Sequence, residues 1–179
     1  TLYRQGRRHP LVSKDDIVSR MPAFRKRFVK YSEYAAASFE EIFDEESRKA
    51  AYHRTATELR TCWLENTPEG FVLHPMPAAL QTAPVLAFCT LDLNGDGLQE
   101  VLAGGNRYKV QPYIGRFDAS FGCLLHNEGK GEFSRLLPEQ SGFFAPGEIR
   151  SMEVLPGGHY LMVGRNNAPA LVFEVNSLK

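Results

Sequence analysis

The hydrophobic positions of the chain follow two different periods, one before and one after about residue 55. Between residues 13 and 52 they recur every three to four positions, which is typical of amphipathic helices. Two stripes show this spacing: Phe24, Phe28 and Tyr31, and then Tyr34, Ala35, Ser38, Phe39 and Ile42. Ser13 and Asp44 are of the residue types that cap helix N-termini. We therefore predict a group of short helices that begins near Ser13 and ends before Tyr52.

From about residue 55 onward, apolar and polar positions alternate, which is typical of β-strands. The alternation runs from Thr57 to Glu65 and resumes from Phe71 to His74 after the turn Thr-Pro-Glu-Gly, so a hairpin is predicted. Further strands are predicted at roughly 85–91, 100–104, 121–126, 132–136, 149–155, 159–164 and 170–175. Glycine, proline and asparagine separate these segments. This part of the chain is predicted to be antiparallel β-structure.

Two different segments of the β-region occur twice at nearly the same spacing. The hairpin LENTPEGFVLHP (64–75) is similar to LHNEGKGEFSRLLP (125–138), and the segment that starts at Ala83 is similar to the one that starts at Ala145. A unit of about 60 residues with four strands is typical of a β-propeller blade with long loops. The repeat therefore predicts propeller-type blades.

The predicted fold class is mainly β, with about two and a half four-stranded antiparallel blades and an α-helical insertion near the N-terminus. Residues 1–179 are expected to form a single propeller-fragment domain. Within it we place the helical insertion at about 13–52, one complete blade at about 83–138, and a degenerate half blade at about 145–179. The chain begins at Thr1 rather than at Met, so we expect a processed product or a segment of a longer protein.

The stretch DLNGDGLQE (92–100) carries more oxygen donors than a turn needs. The candidate metal ligands are the side chains of Asp92, Asn94, Asp96 and Glu100 and the backbone carbonyl of Leu98. Calcium takes about six to eight oxygen ligands, whereas magnesium demands a stricter octahedral geometry. The flanking segments are strand-like, which excludes an EF-hand, and a plain β-turn rich in Asp, Asn and Gly is the alternative. The spacing predicts one bound Ca²⁺.

The segment LDLNGDGLQEVLAGGN (91–106) resembles the core of FG-GAP/VCBS repeats, the blades of integrin α-like propellers and of many secreted bacterial proteins. The resemblance extends through YIGRFDASFGCLLHNEGKGEF (113–133). The helical segment 21–43 and the segment 141–155 are similar to the C-terminal part of large secreted bacterial VCBS-repeat proteins. The resemblance implies calcium at the five ligands named above and a secreted, periplasmic or cell-surface location. In LPGGHY (155–160) the acidic loop is replaced, so no ion is expected there, and His159 is interpreted as a turn or strand residue.

The composition removes several classes of function. Lys plus Arg and Asp plus Glu are 21 each, so a net charge of zero argues against a nucleic-acid partner, although the first 30 residues are basic. The simpler interpretation is that these basic residues lie on solvated helix faces and pair with the acidic residues that follow them in the sequence. No apolar run is long enough for a membrane span. Cys62, Cys89 and Cys123 lack metal-site or redox-pair spacing, and one disulfide with an odd thiol left over stays open.

The predicted function is binding of a protein or carbohydrate ligand at the blade loops, with Asn106, Arg107 and Tyr108 contacting the partner and further blades supplied by a longer chain. No catalytic or cofactor-binding residues are predicted. Whether the chain is an enzyme stays open, and the sequence favours binding. A glycan-acting enzyme that uses Asp118 with Glu100 is one alternative, because glycosidases need two carboxylates. A nucleic-acid binder that uses the basic N-terminal segment is the other.

Overall fold

The structure, a computed structural model, describes residues 2–112 and 114–176. It is mainly β: the described residues contain eleven strands in four antiparallel sheets, together with several short helices. The chain divides into two compact units, residues 1–57 and residues 58–179. The mainly-β prediction is therefore confirmed.

The first unit combines a small hairpin with five helices. Strands β1 (Leu2–Arg4) and β2 (Arg7–His9) are antiparallel. The helices are α1 (Lys14–Arg20), α2 (Phe24–Arg27), α3 (Tyr31–Ala36), α4 (Phe39–Ile42) and α5 (Glu45–Ala50). No helix in the part of the chain that the structure describes is long and apolar enough to cross a membrane.

The helices of the first unit begin where the sequence predicts, and they pack on one another. The Ser13 hydroxyl accepts a hydrogen bond from the Asp16 N–H at 3.1 Å, and the Asp44 carboxylate accepts one from the Ser47 N–H at 2.8 Å. Both are N-cap bonds, which satisfy backbone donors at a helix start. The buried side chains form one cluster: Ile17, Phe24, Tyr34 and Ile42. The predicted helical region is therefore confirmed.

Two basic residues of the β1–β2 hairpin face acidic partners rather than forming a free cationic surface. Arg7 Nη2 lies 2.7 Å from Glu41 Oε1, and Arg8 Nε donates to Glu40 Oε1 at 2.7 Å. The hairpin itself is not predicted by alternation, because its strands have only three residues each. Its turn has positive φ at Gln5 (51°) and Gly6 (74°), as a two-residue hairpin turn requires.

The second unit contains three sheets. A two-stranded sheet comprises β3 (Cys62–Thr67) and β4 (Gly70–Pro75). A four-stranded sheet comprises β5 (Val85–Leu91), β6 (Glu100–Gly105), β7 (Cys123–Gly129) and β8 (Glu132–Leu136) in that order. A three-stranded sheet comprises β9 (Ile149–Val154), β10 (Tyr160–Arg165) and β11 (Leu171–Glu174). A 3₁₀ helix (Ala78–Leu80) and α6 (Pro138–Ser141) lie in the connections.

The predicted strands of this unit are confirmed to within a few residues, apart from the start of the first. That strand begins at Cys62 rather than at Thr57. The Glu58 carboxylate accepts hydrogen bonds from the backbone N–H groups of Leu59 and Arg60, at 3.0 and 2.8 Å. Side-chain bonds of this kind compete with strand pairing.

The central strands of the four-stranded sheet, β6 and β7, are buried on both faces. One face packs against the three-stranded sheet through a cluster that includes Ala87, Leu102, Leu124, Ile149, Met152, Leu161 and Val163. The other face packs against the β3–β4 hairpin and the segment after it, through Ala103, Cys123, Leu125, Trp63, Met76 and Leu80. The three sheets therefore form a stack with the four-stranded sheet in the middle. The described residues show no closed ring of sheets, and the propeller arrangement stays a prediction.

Candidate functional site

The candidate metal loop, residues 92–99, joins two adjacent antiparallel strands. Leu91, the last residue of β5, is paired with Glu100, the first residue of β6. The loop therefore begins and ends at one point on the edge of the four-stranded sheet. Eight residues between paired strand ends must turn back on themselves, and Gly95 (φ 78°) and Gly97 (φ 85°) supply the left-handed backbone that this turn needs.

Asp92 organises the first half of the loop. Its Oδ1 accepts a hydrogen bond from the Gly95 N–H at 2.7 Å, and its Oδ2 accepts one from the Gly97 N–H at 2.9 Å. Both carboxylate oxygens are thus turned toward the loop's own backbone. Each oxygen retains lone-pair capacity, because an ionised carboxylate offers about four acceptor sites.

Asn94 and Asp96 continue the same arrangement. The Asn94 Oδ1 accepts from the Asp96 N–H at 3.1 Å, and the Asp96 Oδ1 accepts from the Leu98 N–H at 2.7 Å. The Asn94 side-chain amide also donates to Asp96 Oδ2 at 2.8 Å. The Leu98 N–H lowers the pKa of Asp96 most, and the Asn94 amide lowers it further. Loss of hydration opposes the shift, and the charge of His126 adds a smaller lowering. Asp96 is therefore held in its charged form.

Glu100 differs from the other candidate ligands because it is fully buried. Its Oε2 accepts a hydrogen bond from the Leu93 N–H at 2.8 Å, and its Oε1 lies 3.0 Å from Nδ1 of His126. A second link between the loop and β7 runs from the Asn127 amide to the Gln99 carbonyl at 3.1 Å. Hydrogen bonds thus join the two ends of the loop to each other and to the neighbouring strand β7.

The donor set of the loop suits a hard cation. Asp92, Asn94, Asp96 and Glu100 offer only oxygen among their acceptor atoms, and the exposed Leu98 offers a backbone carbonyl. Oxygen donors without nitrogen or sulfur are what calcium takes. Within residues 2–112 and 114–176, no group of three or more His, Cys, Asp and Glu side chains is gathered as a metal cluster. Calcium also takes amide and backbone carbonyl oxygens, so the donor set of this loop fits calcium.

Sequence reasoning missed His126 and Asn127 as members of this site. In the sequence they lie 26 and 28 residues from the groups they contact, Glu100 and Gln99. The β6–β7 register, in which Val101 is opposite Leu125, brings them together. The pairing of the two strands would have identified them, because it places residue 126 beside residue 100.

The connection between β6 and β7 is anchored by Asn106, which was predicted to contact a partner. That prediction is wrong, because Asn106 is buried. Its side-chain amide donates to the carbonyls of Ser120 (2.7 Å) and Gly147 (2.9 Å), and its Oδ1 accepts from the Ser120 N–H (3.0 Å). Asn106 therefore positions the connection, and its side-chain amide donates to backbone carbonyls rather than to a ligand.

The next residues of the connection are held in place by their backbone and leave side chains on the surface. Arg107 and Phe117 exchange two backbone hydrogen bonds, at 2.8 and 3.0 Å. The Tyr108 N–H donates to the buried Glu148 carboxylate at 3.2 Å, and the Arg116 guanidinium lies 5.3 Å from the centre of the Tyr108 ring. The exposed Arg107 and the half-buried Tyr108 thus remain candidates for partner contact.

The two carboxylates of the enzymatic alternative, Glu100 and Asp118, lie in different surroundings. Both carboxylate oxygens of Glu100 are engaged, and Glu100 is fully buried. Asp118 is exposed in the β6–β7 connection. Trp63, an aromatic residue on a strand, stacks on His74 with ring centres 4.4 Å apart and also packs against the core. Its ring is therefore already used for packing.

Comparison of the chain with models of known protein families, with curated proteins and with solved structures finds no match.

Proposed function

We propose that this chain is a calcium-stabilised segment of a β-propeller-type protein that works outside the cytoplasm, and that it binds a protein or carbohydrate ligand through the loops of its four-stranded sheet. The observation that carries the proposal is the hydrogen-bonded loop 92–99. Three consecutive alternate residues, Asp92, Asn94 and Asp96, each turn a side-chain oxygen to a loop N–H two or three positions on.

This arrangement supports a structural ion. Two aspartates and the glutamate at the base carry negative charge in one short loop, and like charges at close range repel. A bound Ca²⁺ would neutralise that repulsion and fix the β5–β6 connection. The residues that would hold it are Asp92, Asn94, Asp96, Glu100 and the Leu98 carbonyl. An affinity of about 10⁻⁴ to 10⁻³ M would suffice in the secreted, periplasmic or cell-surface location that we propose, because extracellular modules bind calcium in this range.

The ligand-binding part of the proposal rests on the β6–β7 connection. Asn106 and Glu148 are buried and hold its first residues by hydrogen bonds to backbone groups. A loop that is anchored by its buried residues loses little conformational entropy when a ligand binds. Arg107 and Tyr108 follow directly after the anchor, so their side chains are offered from a fixed backbone. Guanidinium and phenol groups are common in binding hot spots.

Thermal unfolding tests the calcium part. A calcium concentration about 100 times the dissociation constant should add about 2.7 kcal/mol to the stability of the folded state. We expect a rise in melting temperature in calcium relative to chelator, a smaller rise in magnesium, and no rise for Asp92→Asn. The exposed Glu128, which lies in β7 and is not one of the proposed ligands, provides the control Glu128→Gln, which should respond like the wild type. Equal curves in calcium and chelator would contradict the proposal.

A glycan array tests the carbohydrate arm of the ligand proposal. We expect bound glycans to be lost in the double variant Arg107→Ala/Tyr108→Ala and retained in Asp118→Ala. Unchanged binding in the double variant would contradict the assigned surface. Hydrolysis of a bound glycan that is abolished by Asp118→Asn would replace the binding proposal with the enzymatic one.

A further inference from the structure

The β3–β4 hairpin exposes one apolar face. In its register Leu64 is opposite Leu73 and Asn66 is opposite Phe71, so these four side chains lie on the same face. Leu64 is 59% exposed and Phe71 72% exposed, and Leu73 is also exposed. The opposite face of the hairpin carries Trp63, which packs into the core against the four-stranded sheet. The exposed face, called here the hairpin face, is therefore the outer surface at one end of the stack.

The corresponding face of the four-stranded sheet is covered over its central strands, β6 and β7. Strand β7 pairs with β8 as β3 pairs with β4, and aligning the turn asparagines Asn66 and Asn127 places Leu64 at the position of Leu125. Leu125 is 0% exposed, because the hairpin and the segment after it lie over it. A side chain that is fully buried in one sheet is thus left in solvent in the equivalent place of the first sheet.

The other end of the stack has the complementary surface. In the three-stranded sheet, Leu161 and Val163 point to the four-stranded sheet, and the alternate residues Tyr160 and Met162 point away from it. Val172 of β11 is opposite Met162 and is 60% exposed. These three exposed residues form what we call the end-sheet face. In the middle sheet, Leu102 and Leu124, which hold the matching places on β6 and β7, are buried against the three-stranded sheet.

We infer that the hairpin face of one copy of this chain docks on the end-sheet face of a second copy. The chain already contains this contact between its own sheets: the end-type face of the four-stranded sheet, with Leu102 and Leu124, meets the three-stranded sheet. The hairpin face and the end-sheet face correspond to the two surfaces that meet in this contact, and each lacks its counterpart within one chain. Each is apolar at its centre, and acidic residues Glu153 and Glu174 share the end-sheet face, so polar groups are available at a rim.

A contact of this kind is head-to-tail, since the two surfaces differ. Head-to-tail contacts produce rings where the rotation closes and open filaments where it does not. The hairpin has six residues in each of two strands, so its face is about 20 Å long and about 10 Å wide. That is about 200 Å² on each copy, far less than the roughly 800 Å² per partner of a standard interface, so a weak association is expected. The association should therefore depend on protein concentration.

Sedimentation equilibrium of the 179-residue chain over a range up to about 1 mM tests the inference. The wild type should show a mass that rises with concentration. Phe71→Glu blocks the hairpin face and Val172→Glu blocks the end-sheet face, and each variant alone should remain monomeric. Mixed together, they should form a 1:1 complex and nothing larger, because one open face of each type remains. Both changes are at exposed residues, and circular dichroism verifies that each variant is folded.

The control is Leu59→Glu, at a residue that is 87% exposed and precedes β3, outside both faces. It should associate like the wild type. Loss of association in Leu59→Glu equal to that in Phe71→Glu would overturn the inference. So would a wild type that stays monomeric throughout, or a Val172→Glu variant that still associates alone, since the latter indicates a hairpin-to-hairpin dimer. Neither the inference nor its test depends on whether the loop binds calcium.

Discussion

Nδ1 of His126 lies 3.0 Å from Oε1 of the fully buried Glu100, and this contact joins the candidate calcium loop to the next strand of the sheet. Glu100 is at the same time bonded to the Leu93 N–H at the start of the loop. One carboxylate thus connects the two ends of the loop and β7. An ion bound by Asp92 and Asp96 would therefore also stabilise the contact of the loop with β7, through Glu100.

The first prediction concerns His126. Replacement by Ala leaves one oxygen of a buried carboxylate without its partner, which costs about 1–3 kcal/mol. We expect His126→Ala to lower the free energy of unfolding by that amount in urea titrations. His159→Ala is the control, because His159 is exposed in the β9–β10 connection. A His126 variant as stable as the His159 variant would show that the contact contributes nothing.

The second prediction concerns Asn106, whose three side-chain hydrogen bonds tie the β6–β7 connection to its surroundings. Asn106→Ala should destabilise the fold by at least about 1–3 kcal/mol, because it leaves the carbonyls of Ser120 and Gly147 unpaired. Asn106 also has φ of 81°, where Ala is strained. Asn167 also has a positive φ, 54°, but its side chain is exposed. Asn167→Ala therefore measures the backbone strain without the loss of a buried amide. Equal losses in the two variants would refute the role of the buried amide.

Periodicity along the chain predicted the helices from Ser13 onward and nearly every strand after Cys62, because each of these segments places one apolar face in a core. The β1–β2 hairpin was missed, since three-residue strands contain too few positions for an alternation. A strand was also wrongly predicted at 57–61. In the structure the Glu58 side chain accepts hydrogen bonds from backbone N–H groups that strand pairing would use. Local pattern does not report such competition.

The candidate site was predictable only in part. The ligand types and spacing of the loop 92–100 are local, so the sequence displays them directly. The contacts of Glu100 with His126 and of Asn106 with Ser120 and Gly147 join residues 14 to 41 positions apart, and only the register of the sheet brings them together. For the same reason Asn106 was predicted to contact a ligand. The local sequence of a Gly-rich connection does not show whether its Asn is buried or exposed.

The third prediction concerns acid. The Asn166 amide lowers the pKa of Glu148 below its ordinary value; the Tyr108 N–H and the charge of Arg150 add to this, while burial opposes it. A carboxyl whose pKa is lower in the folded state stabilises the fold above its ordinary pKa of about 4.3 and loses that contribution as pH falls through the folded value. Stability should therefore fall below about pH 5.

Urea titrations between about pH 7 and pH 3 check this prediction. Glu148→Gln keeps a hydrogen-bond acceptor but has no carboxyl to titrate, so its stability should start lower at neutral pH and decline less steeply in acid. Asp96, Asp44 and other carboxyls with lowered pKa values are shared by both proteins and cancel in the comparison. Parallel curves for the two proteins would show that Glu148 is not responsible.

The central claim is that the loop 92–100 binds calcium, and isothermal titration calorimetry of the chelator-treated chain with Ca²⁺ tests it most directly. The account predicts saturation at one ion per chain with a dissociation constant of about 10⁻⁴ to 10⁻³ M, and no saturable heat for Asp92→Asn titrated in parallel. A folded wild-type protein that takes up no calcium at about 10 mM, well above this range, would contradict the account.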